Sequence, residues 1–357
     1  MAGVTETILL APWQITTLAA GIRAINANGI ASRLELKPQS TFAGDPEFDS
    51  TSLSDWTQAN SANADTIDAN TTRKSNLYIN LNATNSQRPN NSPFVYQVKS
   101  GDFDVYTRVR QGDLLSFHHA AISAQDTATA TRFMYVYLYH NGVNSIRADL
   151  FDSVNGDNTV AVATDTMFLG SGDVCLRLAR VGNTFTGYYS LDGKTWTSIA
   201  SRTNASFSSG ANLGLSAQNY NTSNRMACAF DFIRTWPPYL TTSPVASGVI
   251  DSGFRGTVWT PSTFAALENP YSNDAGLQAQ IGYGTLKYRM AAGETDPPTL
   301  SGSANTEAQI QALAAITGRY LNVEVTLISA NGYELPVFAG AKLNRTLPRR
   351  VPRREAA

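Results

Sequence analysis

The stretch Phe103-Asp104-Val105-Tyr106-Thr107-Arg108-Val109-Arg110 decides the fold class. Val105, Thr107 and Val109 oppose Tyr106, Arg108 and Arg110, the period of two that sets alternate side chains on opposite faces of a strand. Residues 132–140, 174–181 and 226–236 repeat this alternation, and Asp192-Gly193 sits between Tyr188-Tyr189 and Trp196 as a hairpin turn. Short alternating segments punctuated by Asn, Asp, Gly and Ser run from 46 to 240 without helical periodicity. The expectation is an antiparallel β-sandwich.

Pro237-Pro238 and Thr241-Thr242-Ser243-Pro244 stiffen the chain and mark a domain boundary. Beyond it, residues 247–254, 284–291, 319–329 and 335–343 again alternate like strands. Thr306 to Ile316 carries Ile310, Leu313 and Ile316 near helical spacing and ends at Gly318, which predicts a short helix. In the first 45 residues Leu18, Ile22 and Ile25 fall at helical spacing with Asn28-Gly29 as the stop, and residues 33–37 alternate like a strand. So short a segment cannot bury its own apolar face and must pack on the following domain or on another subunit. The expected architecture is all-β: an N-terminal arm (1–45), a sandwich (46–240), a second sandwich with a short helix (241–344) and an Arg-rich tail (345–357).

The chain has 357 residues, 42% hydrophobic and 15% charged, with 26 Gly and 15 Pro, which excludes a disordered chain or a long coiled coil. Residues 1–344 hold 22 basic and 27 acidic residues, a balance of −5, whereas 345–357 hold five Arg and one Glu, a balance of +4. A globally basic nucleic-acid binder is not expected. The opening MAGVTETILLAPWQITTLAAGI has no basic n-region and is interrupted by Pro12 and Gln14, so no signal peptide is expected. No window is apolar enough to predict membrane insertion. Cys175 and Cys228 stand apart from any metal-ligand spacing and read as two buried thiols, with a bridge between them as the alternative.

The sequence lacks GxSxG, HExxH, P-loop and dinucleotide-binding motifs. His118 and His119 would project to opposite faces of a strand and could not chelate one metal there. A glycosidase needs two carboxyl groups flanking one bond, yet the chain has nine Glu and none between Glu47 and Glu268. The expectation is therefore a protein that is not an enzyme. The turn aspartates Asp152, Asp157, Asp173 and Asp192 leave Ca2+ as the one cofactor to consider, although no dense acidic loop is present.

A binding face is better supported. On the predicted strand 132–140, Phe133, Tyr135, Tyr137 and Tyr139 share one side, forming either a second buried layer or a platform for sugar rings. Tyr106, Arg108, Arg110 and Arg177 supply polar and aromatic groups on similar faces. These seven residues, Tyr106, Arg108, Arg110, Tyr135, Tyr137, Tyr139 and Arg177, are the candidate carbohydrate contacts. A solvated outer face or a subunit interface is the alternative.

Residues 101–109, 176–196 with its Ser190-x-Asp192-Gly193-x-x-Trp196 hairpin, 213–218 and 229–234 resemble concanavalin A-like lectin/glucanase modules of the DUF1349 and β-xylosidase C-terminal type. That resemblance implies a two-sheet jelly roll, used as a sugar-binding or spacer unit. Residues 247–253, 286–290 and 318–327 are similar to a sandwich of phage tail and bacterial surface proteins. Together the features resemble a tailed-phage virion protein of the tail tip or baseplate, assembled in the host cytoplasm. Its implied partners are other virion proteins through the arm and tail, a host surface glycan and further copies of itself. The alternatives are a soluble carbohydrate-binding module and, third, a glycoside hydrolase.

Overall fold

The computed structural model of the protein describes residues 38–82, 90–110, 118–140, 146–154, 157–159, 173–219 and 227–238, together with strands on either side of this central region. The chain divides into two compact units. Residues Gln39–Pro238 form one, and Met1–Pro38 with Tyr239–Ala357 form the other. The central unit is thus an insertion, in sequence, within the flanking one. A single 3-10 turn at Ser61–Asn63 aside, every described element is a strand. Among the described residues no helix is long and apolar enough to cross a membrane.

The first strands of the flanking unit are β1 (Val4–Leu10), β2 (Thr17–Leu18), β3 (Ile22–Ala27) and β4 (Ile30–Leu36). Leu18, Ile22 and Ile25 lie on strands, which corrects the helical expectation for this segment. The β-branched Ile22, Ile25 and Ile30 suit a pleated surface, and β3 pairs antiparallel with β4.

The central unit continues with β5 (Thr57–Ala59), β6 (Ala64–Ala69), β7 (Leu77–Leu81), β8 (Phe94–Ser100), β9 (Phe103–Arg110), β10 (His118–Asp126), β11 (Phe133–His140), β12 (Ile146–Val154), β13 (Asp157–Thr159), β14 (Val174–Val181), β15 (Thr184–Ser190), β16 (Thr197–Thr203), β17 (Gly210–Asn219), β18 (Ala227–Phe230) and β19 (Arg234–Thr235). They form two antiparallel sheets. One runs β13-β12-β11-β10-β17-β8-β5 and the other β16-β15-β14-β9-β18-β7-β6, with β19 also on β9. Between them lies the main core, drawn from alternate residues of each strand: Val105 and Val109 of β9, Ile122 of β10, Met134, Val136 and Leu138 of β11, Leu176 and Leu178 of β14, and Leu213 and Leu215 of β17. Each such side chain removed from water stabilises the unit by about 1.5–3 kcal/mol.

Two local features depart from simple alternation. The expected strand 226–236 is broken, because Asp231–Ile233 leave the ladder between β18 and β19. The Asp231 N–H still bonds the Arg108 carbonyl at 3.1 Å, and the Thr107 hydroxyl donates to the Phe232 carbonyl. At the Ser190–Trp196 hairpin, Ser190 Oγ accepts the Gly193 N–H at 2.8 Å, and Asp192 Oδ1 accepts the N–H groups of Lys194 and Thr195 at 2.8 and 2.7 Å. Gly193 supplies the positive φ of 68° that the turn requires.

The flanking unit resumes with β20 (Val245–Asp251), β21 (Val258–Phe264), β22 (Thr285–Gly293), β23 (Ser301–Ala304), β24 (Ile316–Thr317), β25 (Tyr320–Ile328), β26 (Val337–Phe338) and β27 (Ala341–Leu347). Its sheets run β1-β27-β21-β24, β2-β20-β25-β22-β23 and β26-β4-β3. The chain's first and last described strands pair over seven residues, from Val4 with Leu347 to Leu10 with Ala341. Arg345 therefore belongs to a strand. The expected helix, apart from Ile316 at the start of β24, and the tail from 348 onward lie outside the described residues.

Candidate functional site

The seven candidate contacts do not form one site. Tyr106, Arg108 and Arg110 (β9) and Arg177 (β14) lie on the outward face of one sheet. Tyr135, Tyr137 and Tyr139 (β11) lie on the outward face of the other, with the core between. Proximity along the chain suggested one surface, but strand pairing assigns β9 and β11 to different sheets.

On the first face the arginines are occupied. Arg108 is buried, and its guanidinium pairs with Asp231. Burial alone would lower its pKa, but Asp231 and Asp173 more than offset that and hold it above its ordinary value. Arg110 Nε lies 2.9 Å from Asp231 Oδ1, and its NH1 lies 3.4 Å from Asp173. Arg177 grips Asp104 bidentately at 2.7 and 2.6 Å, with its guanidinium 4.6, 5.2 and 5.7 Å from the rings of Tyr188, Trp236 and Trp196. Tyr106 is buried edge-on against Trp196, Phe232 and Trp236, which pushes its phenol up to about 12. These groups clamp the unit's own ends to the sheet: Arg234 pairs with Glu47, the Ile233 N–H reaches the Pro46 carbonyl at 2.8 Å, and the Thr235 N–H reaches that of Gln39 at 3.2 Å.

The second face is a lattice set by strand register. Gln218, His119, Tyr139 and Arg147 stand in one row across β17, β10, β11 and β12. Ser216, Ala121, Tyr137 and Asp149 form the next, followed by Gly214, Ser123, Tyr135 and Phe151, and then by Asn212, Gln125, Phe133 and Ser153. On the far side of β17, Phe94 and Tyr96 of β8 stand opposite Ser216 and Gly214, their rings stacked at 4.8 Å. Two aromatic rows thus flank a strip of small residues. Phe133 and Tyr135 are fully buried, Tyr137 nearly so, and Tyr139 half-buried. Of the two roles expected for this row, a buried second layer describes Phe133 to Tyr137, and only Tyr139 reaches the rim.

This layer is not a purely apolar one. His119 stacks on Tyr137 at 4.3 Å and 16°, and Tyr139 meets the His119 ring edge-on at 4.7 Å. The hydroxyls of Ser123 and Ser216 lie 2.7 Å apart, Gln125 Nε2 donates to the Ala130 carbonyl at 2.8 Å, and Asn212 Nδ2 donates to Gln125 Oε1 at 3.1 Å. Gln218 and His119 were not among the expected contacts. The alternation Leu213, Leu215, Ala217 already puts Ser216 and Gln218 on the opposite side, so parity was the signal that could have found Gln218.

Among the described residues no group of three or more His, Cys, Asp or Glu side chains could hold a metal, and the Asp152 and Asp157 side chains lie outside them. Cys175 and Cys228 are both buried and form no disulfide. Cys228 belongs to the main core, whereas Cys175 lies beside Arg108, and burial pushes its thiol up to about 12.

No protein-family model matches the chain, and no curated protein matches it. Solved structures do. A GH43 protein from Bacillus licheniformis matches with a TM-score of 0.42 and 13% identity over 53% of this chain and 38% of its own. The xylan β-1,4-xylosidase of Bacillus halodurans matches with a TM-score of 0.42 and 15% identity over 56% of this chain and 40% of its own. The chain thus spans about two fifths of the length of these proteins. A carbohydrate-binding module, CBM66, from Bacillus subtilis matches with a TM-score of 0.33 and 15% identity over 50% of this chain and 92% of its own. Against the expectation that the protein is not an enzyme, the matched structures include a xylosidase and other glycoside hydrolases.

Proposed function

We propose that the central sandwich binds carbohydrate through the outward face of the β13–β5 sheet, at the rim residue Tyr139, which the buried His119–Tyr137 stack supports. One observation carries this reading: the face joins a tyrosine row to buried polar side chains, whereas the core face of the same strands is apolar. Each polar group taken out of water costs free energy, so a face buried for stability alone would be built from apolar residues. Aromatic faces stack on the C–H faces of sugar rings, and hydroxyl and amide groups bind sugar hydroxyls. A carbohydrate-binding module and glycoside hydrolases among the fold neighbours agree with this reading.

The test is a glycan array probed with the full chain, followed by calorimetry on the best ligand. Tyr139→Ala should weaken binding by about 1–3 kcal/mol with unchanged thermal stability, whereas Arg108→Ala should act through folding. Retention of full affinity by Tyr139→Ala would overturn this choice of face. Turnover of the bound glycan is to be measured alongside.

We further propose that the sandwich serves host attachment in a virion, at a tail tip or baseplate. The insertion, in sequence, of one β-unit within a second supports this reading. Co-purification with tail components tests it.

A further inference from the structure

The aromatic row of β11 falls short of an extended platform in two respects. Phe133, Tyr135 and Tyr137 are buried and Tyr139 is half-buried, so one ring of the four is placed to meet a ligand. Successive rings are also turned against one another: Phe133 and Tyr135 by 42°, Tyr135 and Tyr137 by 41°, and Tyr137 and Tyr139 by 68°. A linear polymer can stack along several aromatic faces only where they share a plane, and these do not. Among the described residues of this face, Tyr96 of β8 is the other half-buried aromatic. Strands β17 and β10 separate it from β11, about 14 Å at ordinary strand spacing, and it stands in the row of Tyr135, two outward positions along β11 from Tyr139. One sugar ring cannot touch both.

We propose that the Tyr139 site recognises a single sugar unit and takes no contact energy from a run of linear polymer. This rests on the glycan-binding reading above and narrows its ligand class. The Tyr139 ring is held in place before any ligand arrives, because it meets Tyr137 at 68° and the His119 ring at 83°, while His119 and Tyr137 are themselves stacked at 4.3 Å. A fixed aromatic ring offers stacked area to one sugar at little ordering cost. Units further along the chain would pass over rings that are buried and turned out of plane, so they would lose freedom without gaining a second stacked face.

The experiment titrates the full chain with length series from monomer to hexamer: xylose, β-1,3-linked glucose, and the sugar that heads the glycan array. In the series that binds, affinity counted per sugar unit should stay within about tenfold from monomer to hexamer. Tyr139→Ala should weaken every length by one common factor of about tenfold. A hexamer that binds more than tenfold more tightly per unit than the monomer, whether along the row or by bridging to Tyr96, overturns the inference and leaves the glycan-binding reading standing. So does a Tyr139→Ala loss that differs more than tenfold between lengths. Failure of any glycan to bind, in these series and on the array, overturns both.

Discussion

Arg108 shows how a residue's partners decide its role. In the sequence it is a cation on the polar side of a strand, as suited to a ligand as to a carboxylate. In the structure its side chain is 5% exposed and paired with Asp231, itself 7% exposed and also held by Arg110 at 2.9 Å. Removing one member of a buried pair leaves the other's charge poorly compensated. Arg108→Met should therefore cost about 3 kcal/mol in urea unfolding. The double variant Arg108→Met/Asp231→Leu should recover much of the loss. Unchanged stability in the single variant would return Arg108 to the list of ligand contacts. Arg177 belongs to the same class, since Asp104 and three aromatic rings already occupy its guanidinium.

At the scale of the element, β17 is constrained by its neighbour. Its even-numbered residues face outward and its odd-numbered ones enter the core, but Gly214 is set by a neighbour's backbone. A Cβ placed there would lie 2.0 Å from the Val95 carbonyl oxygen and 2.6 Å from the Tyr96 Cα, closer than the pairing of β17 with β8 can admit. Gly214→Ala should force the two strands apart at a cost of about 3 kcal/mol, seen as a lower urea midpoint and faster amide exchange in both strands. Wild-type midpoint and exchange would show that the close approach is not maintained. The hairpin at 190–196 is the opposite case. Ser190, Asp192 and Gly193 act on their own neighbours within three residues, so this turn was legible in the sequence, whereas the seating of Trp196 against Tyr106 and Trp236 was not.

At the scale of the whole molecule, the central unit's two ends lie side by side: the Gln39 N–H bonds the Pro238 carbonyl at 2.5 Å, and the Thr41 N–H bonds Thr235 Oγ1 at 3.1 Å. A unit that closes on itself in this way and has its own core should fold alone. The fragment 39–238 should give a cooperative unfolding transition and retain any glycan affinity of the full chain. A fragment without fixed near-ultraviolet dichroism would show that the flanking unit is required. Alternation of apolar residues was enough, by itself, to establish the all-β class, the strands at 103–110, 133–140 and 174–181, and the turn at 192–193, because a strand's two faces and a tight turn are properties of a few consecutive residues. The pairing of Val4–Leu10 with residues near the opposite end of the chain, the separation of Tyr106 from Tyr137 onto opposite outward faces, the engagement of the arginines and the burial of the β11 aromatic row short of Tyr139 came only with the tertiary structure. Each depends on which strands become neighbours across long stretches of chain, and hydrogen-bonded pairing and burial, which local periodicity does not encode, make that choice.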